Sequence, residues 1–326
     1  MNRRIPFLMA ACVWAGLVSA PVWAQSDYPN KPIRVIVPWP VGGVADIVLR
    51  VIEPRLRQEL GQSLVIDNRP GAGGVIGDDM VAKAVPDGYT LLFTSSAVNM
   101  NIAIGRNLPY DLDRDLLPIA NVAWAPMIMV ATPSLKYKSA QELVADARAN
   151  PGKMSYASAG NGSPSHLTVE MFRDKAGIQA VHVPYKGSPQ AMIDQIAGRV
   201  DFHFVNSATA LPHINGQKVQ ALFVTASKRL NVAPNIPTNA EAGFPDMQAS
   251  QFEGFFAPRG TPRVVLDKVA AAVNKVLAMP DVVSAMAPYA VEIDGASNPQ
   301  KFATMMREDR ERWIQVAKNA NIKSSD

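Results

Sequence analysis

Only one cysteine, Cys12, occurs in 326 residues, and it lies within the first two dozen. Histidine is almost as scarce: His166, His182, His203 and His213 are the four, and no two stand at H-x-x-x-H spacing or beside carboxylates arranged for a metal. No Gly-Lys-Ser or Gly-Lys-Thr is present, so there is no P-loop, and without G-x-S-x-G there is no hydrolase nucleophile elbow. Long apolar runs are missing as well. The longest, residues 5–18, falls short of the roughly 20 residues that a spanning helix needs.

What stands at the N-terminus reads as a secretory signal: Arg3-Arg4, the apolar run, then Val22-Trp23-Ala24, with cleavage expected after Ala24. Lipidation of Cys12 is not expected, because the apolar run continues past it and no leucine stands three residues before it. Removal of residues 1–24 leaves a mature chain with no thiol, disulfide or sulfur ligand, which suits an oxidising compartment such as the bacterial periplasm. It also removes Arg3 and Arg4 and takes the formal net charge from +4 to about +2, too little for a nucleic-acid footprint.

The remainder has a globular composition, 48% hydrophobic and 18% charged, and enough length for one large domain or two ordinary ones. Short β-branched runs alternate with helical patterns, the signature of βαβ units. Strands are expected at 33–37, 64–67 and 89–94 with helices at 45–60 and 75–84. An apolar run at 125–132 follows a polar stretch at 111–115. A second set has helices at 140–149, 165–176 and 189–197 and strands at 154–157, 181–183, 202–205 and 219–225. A second apolar segment at 252–257 leads to helices at 264–278 and 299–317. The expected architecture is α/β with two lobes and a cleft, each lobe holding a mixed, mostly parallel sheet. Lobe 1 would comprise 25–125 plus 250–326, and lobe 2 would comprise 126–249.

Open α/β sheets bind ligands at the carboxyl ends of their strands, which directs attention to the loops at 38–46, 69–74, 95–101, 158–165 and 185–189. In the first, Pro38-Trp39-Pro40-Val41-Gly42-Gly43, the glycines allow close backbone approach ahead of a helix N-terminus, the makings of an anion site without a lysine; a ligand-free tight turn fits equally. Asp46 would cap that helix, receive a ligand amine, or face water. In the second, Gly71-Ala72-Gly73-Gly74-Val75-Ile76 fails as a dinucleotide fingerprint because Ile76 stands where the third glycine belongs. The fourth, Ser158 to His166, gathers hydroxyls, amides and an imidazole that could grip a carboxylate. Its alternative is a nucleophile, Ser163 or Ser165, with His166 as base, although neighbours at a helix start point apart and serine there is more often an N-cap.

Taken together these loops resemble one family. Tyr28-Pro29-Asn30-Lys31-Pro32-Ile33-Arg34, Val37-Pro38-Trp39-Pro40-Val41-Gly42-Gly43 with Asp46, Asn68-Arg69-Pro70-Gly71-Ala72-Gly73-Gly74 with Gly77, Pro86-Asp87-Gly88-Tyr89-Thr90-Leu91-Leu92, Gly160-Asn161-Gly162-Ser163-Pro164-Ser165-His166 and Val183-Pro184-Tyr185-Lys186-Gly187 are similar to the Bug-type periplasmic solute-binding proteins, the receptors of tripartite tricarboxylate transporters. The resemblance implies a type II periplasmic binding protein, a two-lobed Venus flytrap that takes a small carboxylate to the transporter's membrane subunits. It implies no enzyme activity, cofactor, metal or nucleic-acid partner, and a monomer. The ligand-binding positions it carries over are Trp39, Pro40, Val41, Gly42, Gly43 and Asp46, then Thr94, Ser95 and Ser96. From the second lobe come Ser158, Gly160, Asn161, Ser163 and His166, with Tyr185 and Asp201. Two departures stand out, Trp39-Pro40-Val41 where the family usually has Phe-Pro-Pro, and Leu49 where alanine is common. A receptor domain serving a signalling partner, or an exported Ser-His hydrolase, are the alternative functions.

Overall fold

The computed structural model describes residues 28–135 and 137–324; the expected signal segment, 1–24, lies outside the described residues. Three short strands, a long fourth and their helices open the chain. These are β1 (Ile33–Val37), α1 (Val44–Leu60), β2 (Leu64–Asn68), α2 (Val75–Ala82), β3 (Thr90–Ser95), α3 (Ala97–Ala103), α4 (Leu112–Asp115) and β4 (Leu116–Ala131). A second set follows with α5 (Ala140–Ala149), β5 (Ser155–Ser158), α6 (Pro164–Ala176), β6 (Val181–Pro184), α7 (Ser188–Ile196), β7 (Phe202–Asn206), α8 (Ser207–Asn215) and β8 (Gln220–Val224). The chain returns through β9 (Ser250–Pro258), α9 (Arg263–Leu277), α10 (Pro280–Met286), β10 (Glu292–Ile293) and α11 (Pro299–Asn319).

Parallel pairing joins β2, β1 and β3 in the first half and β6, β5 and β7 in the second, while β9 and β4 run antiparallel to their neighbours. The result is a mixed sheet in the order β2-β1-β3-β9-β4-β7-β5-β6. Its 16-residue strand β4 is the common element. From Leu116 to Pro126 it pairs with β9, and from Met127 to Ala131 with β7 and β8. Residues 116–124 carry no clean apolar pattern because Pro118 and Asn121 fall in them, and the register slips beside both as β-bulges.

Separate cores fill the two halves. Val35, Val37, Phe93 and Phe255 meet α1 and α9 on one sheet face, while Leu92, Phe252, Phe256 and Phe302 fill the other. The second half is built around Tyr156, Phe172, Phe202, Phe204 and Phe223, with Ile128, Val130 and Val205 on its other side. Helix α11 serves both: Phe302 and Met306 join the first half, and Trp313 and Ala317 the second.

Space for Phe302 is made by the absence of a side chain at Gly254, where a Cβ would fall 2.4 Å from the ring. The ring lies 5.4 Å from that of Phe252 and 5.1 Å from that of Phe256. Truncation there loses both apolar burial and ring contacts, so Phe302→Ala is expected to lower stability by about 3–5 kcal/mol. Urea unfolding checks it, and a loss below about 1 kcal/mol would contradict the assignment of α11 to the core.

Candidate functional site

At the carboxyl ends of β1, β3, β5 and β7 the two halves meet around a small cavity of about 30 Å³. Its first-half wall is Trp39, Pro40, Gly43, Val44 and Ser95, with Gln251 and Met127 on the two crossing strands. Ala159, Pro164, Ser165, Ser188, Pro189 and Asn206 form the opposite wall. No lining residue is charged. A larger open groove of about 510 Å³ beside Tyr110, Arg114 and Arg310 lies away from these strand ends.

Four helices begin at this cavity, α1, α6, α7 and α8. Two of them satisfy their own first turns: Ser163 Oγ accepts the His166 N–H at 3.3 Å, and Asn206 Oδ1 accepts the Thr209 N–H at 2.9 Å. The other two start at glycine, Gly43 for α1 and Gly187 for α7, and no side chain caps either. The first-turn amides of Val44 and Ala45 on α1 and of Ser188 on α7, where Pro189 has none, are therefore donors with a partial positive charge at the two walls of one mostly apolar cavity. Trp39 adds another donor, since its indole Nε1 is buried with no hydrogen-bond partner.

The rest of the predicted site divides by position. Trp39, Pro40, Gly43 and Ser95 line the cavity, whereas Val41 is 63% exposed on the outside of the loop. Asp46 is buried and faces inward: its carboxylate accepts the Gly42 N–H at 3.0 Å and Asn68 Nδ2 at 3.1 Å, and Arg50 holds both oxygens. It sits at the third helical position and reaches back to the residue before the cap, so it shapes the glycine turn from behind. Thr94 is buried beside Asp78 on β3, and Ser96 Oγ accepts the Phe252 N–H at 2.9 Å to lock β9.

In the second half Gly160 and Asn161 form the seam between the walls. A Cβ on Gly73 would lie 2.3 Å from the Asn161 carbonyl oxygen, and one on Gly187 would lie 2.4 Å from Pro40 Cγ. Arg106 donates to the carbonyl of Ala72 in its own half and across the seam to that of Asn161, and Thr209 Oγ1 donates across it to that of Gly42. Tyr185 donates instead to Asp194 at 2.8 Å on α7. Asp201 begins β7, at the opposite edge of the sheet, where it accepts from the Ser155 N–H and hydroxyl. Both are tied away from the cavity. The lining residues Met127 and Gln251 escaped the sequence reading because they lie on crossing strands rather than in strand-to-helix loops. Ser188, Pro189 and Asn206 had a signal, the loop and N-cap pattern of α7 and α8.

Serine and histidine do meet here, though not as the expected pair of Ser163 or Ser165 with His166. The His166 ring receives the Gly162 N–H at 3.4 Å, and Ser163 and Ser165 bond to each other and to backbone amides. Ser158 Oγ and His182 Nε2 are 2.6 Å apart, with His182 stacked between His166 and Tyr156. Burial, with His166 and Arg173 adding to it, pushes the His182 imidazole down to about 3. Burial also lowers His166. Both rings are neutral at neutral pH, and neither Ser158 nor His182 lines the cavity. Among the described residues no cluster of three or more His, Cys, Asp or Glu could hold a metal ion.

Residues 48–322 match the family described as tripartite tricarboxylate transporter family receptor (TctC). Protein BugT of Bordetella pertussis is 35% identical over 325 residues, covering 99% of each chain. Two solved structures from Rhodopseudomonas palustris are similar throughout. Rpa4515 with adipate has a TM-score of 0.88 and 32% identity over 91% of this chain and 99% of its own. MatC with bound malate has a TM-score of 0.85 and 30% identity over 89% of this chain and 99% of its own.

Two outcomes follow from these contacts. Removing the Asp46 carboxylate strands the Gly42 amide and the Asn68 carboxamide, so Asp46→Ala is expected to cost about 2–4 kcal/mol in urea unfolding; a neutral effect would show that the turn holds itself. The second concerns His203, wholly buried on β7, where burial alone holds the imidazole near 3. The unfolded chain takes up that proton at about pH 6.5 while the folded chain refuses it, so stability is complete above about 6.5 and falls by about 1.4 kcal/mol per pH unit below it from this group. Urea midpoints between about pH 7.5 and 5 should show a shallower acid slope for His203→Leu than for the wild type; equal slopes would contradict it.

Proposed function

Because the chain belongs to the TctC family of tripartite tricarboxylate transporter receptors, we propose that it captures a small mono- or dicarboxylate between its lobes and delivers it unchanged to the membrane subunits of such a transporter. The observation that carries this reading is the pair of uncapped helix starts, α1 and α7, facing one another across a cavity with no charged lining. An anion there is held by amides and helix dipoles, without a cation to desolvate. The adipate and malate bound by the two structural neighbours are ligands of the same chemistry.

Opening and closing belong to the same reading. The cavity has room for one or two waters, so any organic acid enters only when the walls part. The lobes would be 25–125 with 250–326, and 126–249, and the hinge would lie where β4 changes partners at Pro126-Met127 and where Ala249-Ser250 runs beside it. The protein would act as a monomer in the periplasm after cleavage at Ala24. No chemistry on the ligand is expected, since the cavity's only hydroxyls, Ser95, Ser165 and Ser188, have no imidazole bonded to them.

A thermal-shift screen of the mature protein against small carboxylates, amino acids and aromatic acids tests the reading, with mass spectrometry of each mixture. One acid should raise Tm and return unchanged, with stabilisation near 2.7 kcal/mol at about 100 times Kd. Solution scattering with that acid should show a smaller radius than without it. No stabilising carboxylate would sink the proposal, a consumed ligand would restore the hydrolase reading, and identical scattering profiles would remove closure.

A further inference from the structure

Directly behind the cavity wall, β9 carries an acid that anion capture does not by itself require. Glu253 lies opposite Ser95 of β3 and Ala123 of β4, and it is wholly buried. Two residues away on the same sheet face, Gln251 lines the cavity and its Nε2 donates to Glu253 Oε1 at 2.5 Å. The second carboxyl oxygen, Oε2, has no hydrogen-bond partner.

Among the described residues no cation answers this acid. On the elements over the same face, Asp46 and Arg50 of α1 bond to each other, Arg55 to Asp281 of α10, and Glu59 to Lys275 of α9. Arg57 of α1 and Arg263, Asp267 and Lys268 of α9 are exposed, Glu53 is half-buried, and His213 of α8 is partly exposed at the far end of its helix. Strands β3 and β4 carry no ionisable side chain, and Glu292 of β10 is exposed. Across the sheet, Asp78 of α2 is bonded by Tyr110 and Asp309 of α11 by Asn99 and Trp313. Burial therefore dominates and raises the Glu253 carboxyl to about 8, offset only by the bond to Gln251.

An unpaired buried carboxylate is costly, so the acid stays neutral, and a neutral acid has a proton to donate. A carboxamide can present either of its ends to a partner. Given the carboxylate reading of the cavity, on which this rests, we propose that neutral Glu253 donates its proton to the Gln251 carboxamide oxygen, so that the Gln251 amide hydrogens face the bound anion and capture is tied to one proton held on Glu253. When Glu253 ionises, the carboxamide takes the orientation the structure shows, with Nε2 donating to the acid, and the carbonyl oxygen turned to the cavity repels a carboxylate. Glu253 is thus a positioning residue that sets the polarity of the cavity floor.

Isothermal calorimetry with adipate and with malate, in buffers of different ionisation enthalpy, reads the linkage. The wild type should bind about tenfold more weakly near pH 9 than near pH 7, with net proton uptake at the higher pH. Glu253→Gln should show neither the pH dependence nor the uptake. Binding by the wild type with no proton uptake and with the pH profile of the variant would overturn the proposal. Should neither acid bind, the capture reading fails for both, and infrared spectroscopy still rules on Glu253. A carboxylic-acid C=O band in the wild type at pH near 7 that is lost in Glu253→Gln supports the neutral acid, and an ionised carboxylate band there overturns it.

Discussion

The proposed capture of a carboxylate would place negative charge where no positive side chain stands. Desolvating a carboxylate costs several kcal/mol unless its oxygens receive hydrogen bonds. Here the donors are backbone amides at the starts of α1 and α7, which are fixed by the fold and need no side chain to be ordered. That arrangement explains the glycines. Gly43 and Gly187 leave the helix starts uncapped, and Gly42, Gly73 and Gly187 let the walls come within van der Waals distance of Pro189, Asn161 and Pro40.

Charged groups nearby are turned to other work. Asp46 is locked to Arg50 and Asn68 behind the glycine turn, and Arg106 bonds to the carbonyls of Ala72 and Asn161, outside the cavity lining. The histidines are neutral through burial and stack on each other and on Tyr156, so they stiffen the second wall without charging it. A neutral cavity of this kind would suit release as well as the proposed capture, because no ion pair would have to be broken on opening.

Much of this was legible in the sequence. The βαβ alternation gave β1, α1, β2, α2 and β3 almost to the residue, since the strands are short apolar-rich runs and the helices follow glycine-containing turns. Serine before proline at 163–164 announced the α6 cap. The first half of β4 was hidden by Pro118 and Asn121, and α3 by the amides Asn99 and Asn101, which read as loop but are buried and bonded to Met306, Asp309 and Gly73. Site positions followed the rule of strand carboxyl ends. Trp39, Pro40, Gly43 and Ser95 come from such ends, whereas Asp201 starts its strand and so lies at the far edge. Whether a polar residue in the right loop points into the cavity or back into the turn, as for Ser96 and Asp46, was decided by partners distant in sequence or by local capping that no spacing reveals.

The measurement that bears most directly on this account is a crystal structure of the protein grown with the carboxylate that stabilises it. The account predicts the ligand's carboxyl oxygens on the first-turn amides of α1 and α7, with no lysine or arginine in contact. A carboxylate held by an arginine, for instance in the groove beside Arg114 and Arg310, would contradict it.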